Sequence, residues 1–212
     1  SSATWQVLCQ QVLMGRMNIP APILMETIQP GSGVSVSQYA ALVARARTNP
    51  ASLTPAEQAI LAQPSIPYNL DAWDGYQAAR ETVLATSRSL GKNLVVLSGD
   101  THNAWANELQ DRNGNAVGVE FATSSVTSPG FEEYLPNENP ATLAGALQQL
   151  IAPLKYCDTS RRGYMVLTAT ASECRADWVY VNTITSRNYT ASTDKSLKVV
   201  AGAAGVGRIV AA

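Results

Sequence analysis

The fold of this chain is decided by the sequence KNLVVLSGDTHN at residues 92–103. Its apolar run, residues 93–98, is typical of a buried strand, and Gly99 then permits a tight turn of the backbone. Asp100 and His102 follow directly, and His102 is the only histidine in the chain. In open α/β sheets, ligands bind at the carboxyl ends of the strands, where loops are exposed but are held by the sheet. The sequence therefore predicts a functional site around Asp100 and His102.

The composition describes a globular protein with a sizeable apolar core. The chain has 212 residues, of which 46% are hydrophobic and 15% are charged, and this length suits one domain or a large part of one. The net charge is -1 and no basic stripe is present, which argues against a nucleic-acid-binding scaffold. No apolar run approaches the roughly 18 residues that a transmembrane helix needs.

Periodicity and turn signals predict helices and strands on both sides of this stretch. The strongest helix prediction covers residues 71–90, which Gly91 ends as a C-cap, and the strand at 93–98 follows at once. A helix and a strand in close succession indicate an α/β fold. The other predicted elements are a strand over 5–14, helices over 35–48, from 54 onward, over 104–109 and over 140–151, a strand over 117–122, and an antiparallel hairpin with strands over 164–170 and 176–185.

Asp100 and His102 combine a hard oxygen ligand with an imidazole, one residue apart on a loop. Both side chains can turn toward one cation or bridge two, so the pair is a candidate for metal binding. Asn103 adds a neutral oxygen donor or a hydrogen-bond donor for a phosphate group. An alternative stays open at this point: His102 begins a helix and is hydrogen-bonded to Asp100 without binding a metal.

The segment SGDTHNAW at residues 98–105 resembles the late metal-binding motif of the PhoD-like alkaline phosphatases, a branch of the calcineurin-like metallophosphoesterases. Three further segments are similar to the same family in their order and spacing. They are WQVLCQQ at residues 5–11, AWDGY at 72–76 with Arg80, and RRGY at 161–164. Together the four segments span nearly all of residues 3–190, although Cys9 stands where the family usually has glycine.

The resemblance implies an α/β fold in which two β-sheets pack as a sandwich between helices. It also implies a phosphate-ester hydrolase with a centre of ferric iron and calcium, in which a metal-bound hydroxide attacks phosphorus. Asp100 and His102 would be metal ligands, with His102 on the iron side and Asp100 on the calcium side. Two alternatives stay open: a phosphodiesterase similar to phospholipase D, and a half-domain kept as a structural or binding subunit without catalysis.

By the same resemblance, residues 1–212 correspond to the C-terminal half of the family's domain, with residues 186–212 as a C-terminal tail. A centre with two or three metals needs about six or more protein ligands, whereas this chain has one histidine and seven aspartates. We therefore expect the catalytic residues and the remaining ligands in an N-terminal half, on a second chain or on a preceding segment. Because enzymes of this family are usually exported, a periplasmic or secreted location is expected.

The other matched residues have two interpretations each. Trp73 and Tyr76 are expected on one helix face with Arg80, where they pack against the core or contact substrate. Arg162 and its neighbour Arg161 precede a predicted strand, where they bind phosphate in a bidentate manner or form surface ion pairs.

The cysteines and one tyrosine give further expectations. Cys9 lies in the first apolar run and is expected to be buried. Cys157 and Cys174 flank a strand of the predicted hairpin, and a disulfide between them stays open. Tyr164, in the RRGY segment, is expected in the core.

Overall fold

The computed structural model describes residues 2–202 and 208–212 of the chain. Within these residues the chain forms two large β-sheets, a two-stranded ribbon and a set of α-helices. The strands are β1 (Trp5–Cys9), β2 (Asn18–Pro20), β3 (Ser65–Pro67), β4 (Asn93–Ser98), β5 (Ala104–Gln110), β6 (Ala116–Ala122), β7 (Leu154–Asp158), β8 (Gly163–Ala169), β9 (Glu173–Val181), β10 (Ala191–Val200) and β11 (Ile209–Ala211). The helices are α1 (Ala21–Ile28), α2 (Val36–Thr48), α3 (Pro55–Leu61), α4 (Gln77–Ser89), α5 (Phe131–Tyr134) and α6 (Pro140–Leu150), with 3-10 turns at Pro50–Ser52 and Trp73–Gly75.

The larger sheet has five strands in the order β1-β4-β6-β5-β7. β1, β4 and β6 are parallel, whereas β5 and β7 run antiparallel to their neighbours. Leu94, Val95 and Val96 of β4 are all buried, as is typical of a parallel strand that is covered on both faces. The carboxyl ends of the three parallel strands therefore meet at one edge of the sheet, where residues 99–103 follow β4.

The second sheet is antiparallel, in the order β11-β10-β9-β8, and packs face to face on the first. Val95 and Phe121 of the first sheet share an apolar cluster with Trp178 and Leu197 of the second. The rings of Phe121 and Trp178 meet edge to face, with centroids 5.8 Å apart, a favourable aromatic geometry. The expected α/β sandwich of two sheets is therefore confirmed.

Helices cover the opposite face of the larger sheet. α4 packs through Leu84 against Leu94 and Val96 of β4. α6 packs through Leu143 against Trp105 of β5, which is fully buried. The two strands that flank the turn, β4 and β5, are thus packed on both faces and hold the turn between them.

Residues 104–109 belong to β5 and not to the short helix that the sequence predicts. β5 pairs with β6 on one side and with β7 on the other, so the strand satisfies backbone groups along both of its edges. Trp105 contributes to the core under the helices, whereas Ala104 and Ala106 contribute to the core between the sheets. Alanine favours helices in isolation, but pairing on both sides overrides this propensity.

The C-terminal sheet is larger than the predicted hairpin. β8 and β9 form that hairpin, and β10 and β11 add two strands from residues 186–212, the region interpreted as a tail. The first four residues of β10, residues 191–194, are exposed and mostly polar, so they lack the apolar alternation that signals a strand. The small apolar stretch from Ala201 onward falls partly on residues 203–207, which lie outside the described residues.

Four smaller expectations are corrected. The helix predicted over residues 71–90 is divided at Tyr76 into a 3-10 turn and α4. The first strand ends at Cys9 rather than at Met14. Cys9 is exposed, because β1 is an edge strand of the described sheet, and Tyr164 is 49% exposed on β8.

Cys157 and Cys174 are both free and lie in different parts of the core. Cys157 faces the helices and Cys174 lies between the sheets, and burial raises the pKa of Cys157 to about 12 and that of Cys174 to about 11. We expect both thiols to resist a thiol-specific chromogenic reagent in the native protein and to react after unfolding without a reductant. If Cys157 and Cys174 both fail to react after unfolding without a reductant, the expectation is contradicted and a disulfide between them is indicated.

Candidate functional site

The turn that follows β4 is held against the segment that follows β1. The backbone N–H groups of Gly99 and Asp100 both donate to the carbonyl oxygen of Gln11, each at 3.0 Å. The N–H of His102 donates to the carbonyl oxygen of Gly99 at 3.2 Å, and His102 has a φ of 62°. A positive φ is uncommon for a residue with a Cβ and is found most often at functional sites. The turn thus holds His102 in a left-handed conformation that the surrounding structure maintains.

The ring of His102 is half-buried and is oriented by a backbone carbonyl. Nδ1 lies 3.0 Å from the carbonyl oxygen of Pro129, and because a carbonyl oxygen only accepts, Nδ1 carries the proton in this contact. With Nδ1 engaged in this way, Nε2 is the ring nitrogen that is left to bind a metal, as in most metal-ligating histidines. A backbone hydrogen bond from Ser125 N to His102 O, at 3.2 Å, holds the 125–129 loop against the turn.

Asp100 presents an exposed carboxylate beside His102. Among the described residues, no hydrogen bond or ion pair engages its side-chain oxygens. Tyr68 and Asp100 line the same cavity; burial raises the pKa of Tyr68, and the charge of Asp100 acts in the same direction. The alternative in which His102 begins a helix and bonds to Asp100 is therefore wrong, since His102 lies in a turn and contacts Pro129.

Asn103 is buried and holds the turn to the loop beneath it. Its side-chain oxygen accepts from the backbone N–H of Phe131 at 3.1 Å, and its Nδ2 donates to the carbonyl oxygen of Thr101 at 2.9 Å. A Cβ built on Gly130 would lie 2.4 Å from that oxygen, so the close approach requires glycine at this position. The polar atoms of Asn103 are thus already engaged inside the protein.

Arg162 supports the same loop from the other side. Its guanidinium forms an ion pair with Glu132 and donates from Nη1 to the carbonyl oxygen of Ser160 at 2.8 Å. The side chain of Arg162 is 11% exposed. Nε of Arg162 and Oε2 of Glu132 are buried and have no further partner among the described residues. The contacts of Arg162 are therefore internal rather than at the surface.

Arg161 is engaged in surface ion pairs, one of the two interpretations of the RRGY segment. Its guanidinium lies 2.6 Å from a carboxylate oxygen of Asp158 and 2.7 Å from one of Asp194. The same group stacks 4.0 Å from the ring centroid of Tyr180. These contacts join β7 of the first sheet to β9 and β10 of the second.

Trp73 and Tyr76 do not share a helix face. Trp73 lies in the 3-10 turn and donates from Nε1 to the side-chain oxygen of Gln10 at 3.0 Å. Tyr76 lies between this turn and α4 and is 59% exposed. Trp73 therefore supports the segment beside Gln11, whereas Tyr76 is accessible to a ligand.

Asp74 and Arg80 fix the segment after β1 through hydrogen bonds to its backbone. Asp74 accepts from the backbone N–H of Met17 at 2.8 Å, and Arg80 donates from Nε to the carbonyl oxygen of Met14 at 2.8 Å. Arg80 also donates from Nη1 to the carbonyl oxygen of Gln110 at 3.1 Å, and its side chain is 2% exposed. Both charged groups are thus used to hold backbone in place.

Glu120 is the most completely buried charged group near the site, and it was not predicted from the sequence. Its carboxylate accepts from the backbone N–H groups of Met14 at 2.7 Å and Gly15 at 2.8 Å, from Ser98 Oγ at 3.0 Å and from Asn107 Nδ2 at 3.1 Å. Burial raises its pKa even though four donors favour the charged form. A single glutamate within the apolar strand VGVEFA was the available signal, because an acidic residue is rarely fully buried without partners.

The donor atoms fit part of a metal site. A carboxylate and a neutral imidazole are ligands for hard and borderline cations respectively, and the Pro129 contact supplies the second hydrogen bond that ligating histidines usually make. Within residues 2–202 and 208–212, however, no group of three or more histidine, cysteine, aspartate or glutamate side chains is close enough together to hold a metal ion. Asp100 and His102 therefore do not make up a complete metal site by themselves.

The fold and the turn define a class of protein: a mixed α/β sandwich with ligand-type side chains at the carboxyl edge of its parallel strands. Comparison with known proteins narrows this class. Residues 1–178 match the family model described as PhoD-like phosphatase, so the chain belongs to the PhoD-like phosphatase family. Membership of this family supports a phosphatase or phosphoesterase function.

Two relatives show how much of the family's domain this chain represents. Over 136 residues the chain is 31% identical to alkaline phosphatase D of Bacillus subtilis (strain 168), a match that covers 61% of this chain and 22% of that protein. Its fold is similar to the solved structure described as "Structure of PhoD", with a TM-score of 0.63 and 23% identity. That match covers 100% of this chain and 32% of the solved chain. The chain thus spans less than a third of the length of these relatives.

In the part of the chain that the structure describes, no helix is both long enough and apolar enough to cross a membrane.

Proposed function

We propose that this chain forms one side of the active site of a metal-dependent phosphate-ester hydrolase. The observation that carries the proposal is the uncommitted carboxylate of Asp100 beside His102, whose Nδ1 is held by Pro129. This contact leaves Nε2 of His102 as the ligand nitrogen. Family membership supports the reaction class, since the curated relative bears the name of an alkaline phosphatase.

The two donor types suit the metals that the family resemblance implies. A carboxylate oxygen suits calcium, whereas an imidazole nitrogen suits iron. When bound, such metals neutralise charge on a phosphate group and lower the pKa of a coordinated water. Asp100 and His102 would hold and orient the metals on this side of the site, because the turn that carries them is fixed by Gln11 and Pro129.

The remaining ligands and the catalytic residues are proposed to lie in the N-terminal half of the same enzyme, on a second chain or on a connected segment. Among the described residues β1 pairs only with β4, and Val7 and Cys9 on β1 are exposed. An unpaired edge of this kind is a template for another strand. Pairing at β1 would bring that half next to Gln11, and hence next to Asp100.

The other candidate residues are assigned by what their side chains contact. Asn103 and Arg162 are proposed to hold the loop that orients His102, since their polar groups are engaged inside the protein. Trp73 is proposed to support the segment after β1 through Gln10. Tyr76 is the one proposed to contact substrate, because its ring is exposed.

The substrate is proposed to be a phosphate monoester or diester, and the enzyme to be exported to the periplasm or beyond. A phosphodiesterase similar to phospholipase D is the second candidate, favoured by an apolar cavity that begins at His102. Cell fractionation of the native host tests the location: activity confined to the cytoplasmic fraction would contradict export.

Removal of metal from the complete enzyme is expected to abolish hydrolysis reversibly. Dialysis against a chelator should lower the hydrolysis of p-nitrophenyl phosphate and bis(p-nitrophenyl) phosphate by about a hundredfold or more, because the metals supply the charge stabilisation. Addition of iron and calcium should restore both the bound metal and the rate. Full activity in a sample shown by elemental analysis to be metal-free would contradict the proposal, and absence of both metal and activity from the complete enzyme would favour a non-catalytic half-domain.

A further inference from the structure

An apolar cavity of about 420 Å³ begins at the turn that carries Asp100 and His102. Cavities of about 300–1,000 Å³ are typical of small-molecule sites. Asp100, Thr101 and His102 lie in the lining of this one. The rest of the lining is mainly apolar and comes from β2, from the helices α1, α2, α5 and α6 and from loop residues beside them. It includes Ile19, Ile23, Leu24, Phe131, Leu143 and Leu147.

The walls of the cavity belong to the packed core. Leu143 and Leu147 are each 2% exposed and Ile23 is 4% exposed. Phe131 meets both Tyr68 and Trp105 edge to face, with ring centroids 5.8 Å apart in each pair. Because these side chains are fixed by contacts behind them, the cavity has a preformed shape.

The charges of the lining exclude a phosphate group from the interior of the cavity. Among the described residues that line it there is no lysine or arginine, and Asp100 would repel an anion. A phosphate ester can therefore place only its uncharged part among the apolar side chains. Its phosphate group has to lie at the mouth, where the proposed metal ligands are.

We propose that this cavity binds the apolar alcohol part of a phosphate ester, with the phosphate group at the mouth beside the proposed metal ligands Asp100 and His102. The inference rests on the proposed function and adds the substrate class: esters of alkyl or aryl alcohols. Hydrolysis adds water across the P–O bond, so that the proton of water goes to the alcohol and its hydroxide goes to phosphorus. The alcohol leaves from the cavity and inorganic phosphate leaves from the mouth.

A series of n-alkyl phosphates tests this assignment on the complete enzyme. The alcohols from ethanol to hexanol differ little in acidity, so the chemical step is nearly constant and differences in kcat/KM report binding of the chain in the transition state. We expect kcat/KM to rise by about fourfold for each buried methylene. The same kcat/KM for ethyl and hexyl phosphate would overturn the inference, and would indicate that another part of the enzyme fills the cavity.

A matched pair of variants tests whether the dependence of kcat/KM on chain length arises in this cavity. Thr27 lines the cavity from an exposed position on α1, and its neighbour Ile28 is 78% exposed and does not line it. T27W should remove most of the dependence on chain length, because a tryptophan side chain at this position would occupy part of the apolar cavity. I28W should retain the full dependence. If T27W keeps the wild-type dependence of kcat/KM on chain length, the alkyl group binds elsewhere.

The two proposals fail in different ways. If the enzyme is not a phosphate-ester hydrolase, no member of the alkyl series is hydrolysed. If only the cavity assignment is wrong, ethyl and hexyl phosphate are both hydrolysed and chain length has no effect in wild type or in T27W.

Discussion

Asp100→Asn and His102→Ala are each expected to lower kcat/KM for p-nitrophenyl phosphate by at least about a hundredfold in the complete enzyme. Loss of groups that merely orient a ligand already costs about 10–100-fold in metal affinity or activity, and these two are proposed to be the ligands themselves. The bound metal should fall in parallel, measured by elemental analysis of the purified variants. Because Asp100 is exposed and has no partner among the described residues, its replacement should leave the thermal unfolding midpoint within a few degrees of wild type.

Asp71→Asn is the matched control for Asp100. Asp71 is another exposed aspartate, and it lies outside the turn and the loop that orients His102. This variant should retain its metal and its activity within about twofold, as surface substitutions away from special features usually do. Wild-type metal content and activity in both Asp100→Asn and His102→Ala would contradict the assignment of ligands.

Glu120→Ala is expected to lower the free energy of unfolding by about 4 kcal/mol. The substitution removes the carboxylate that accepts from four donors: the backbone N–H groups of Met14 and Gly15, Ser98 Oγ and Asn107 Nδ2. A buried donor left without a partner costs about 1–3 kcal/mol. The donors that lose their acceptor hold the segment of residues 10–15, so metal binding at the turn should weaken as well. Urea unfolding of the complete enzyme measures the first effect, and metal titration measures the second.

Glu133→Ala is the matched control, and Glu120→Gln separates the charge of Glu120 from its shape. Glu133→Ala, at an exposed glutamate on α5, should change the free energy of unfolding by no more than about 0.5 kcal/mol.

Burial raises the pKa of Glu120 above that of an unfolded glutamate, so the folded state binds the proton more tightly. The contribution of this group to stability is therefore fully present below the unfolded pKa and is lost as the pH rises through the folded pKa. Glu120→Gln should flatten this decline, and an unchanged pH profile would contradict the shift.

Local signals in the sequence were sufficient for the elements that are buried on both faces or capped. Six residues from Asn93 to Ser98 followed by Gly99 define β4 and its turn. Ser35 and Thr54 each form a capping box with the residue three positions later, which fixes where α2 and α3 begin. These features depend on neighbours in sequence and can be read from it.

The elements that the sequence analysis missed depend on partners distant in the chain. β5 is a strand because β6 and β7 lie on either side of it, and the alanines in it carry no such information. β10 is half polar because one end of it is exposed. Its pairing with β9 and β11 is a tertiary contact that composition does not reveal.

The same distinction between local and long-range contacts applies to the candidate site. Asp100 and His102 could be predicted because they follow a strand and a glycine. The contact of His102 with Pro129, the burial of Asn103 and the four hydrogen bonds to Glu120 could not, since each joins residues that are far apart in sequence. Supporting groups of this kind are recognised only once the loops and strands are placed.

The most direct test of the central claim is anomalous X-ray diffraction at the iron absorption edge from crystals of the complete enzyme. The ring orientation set by Pro129 predicts an anomalous peak about 2 Å from Nε2 of His102, with the Asp100 carboxylate in the same metal centre. A peak bonded to Nδ1, or metal bound in the crystal at a site that includes neither Asp100 nor His102, would contradict the account.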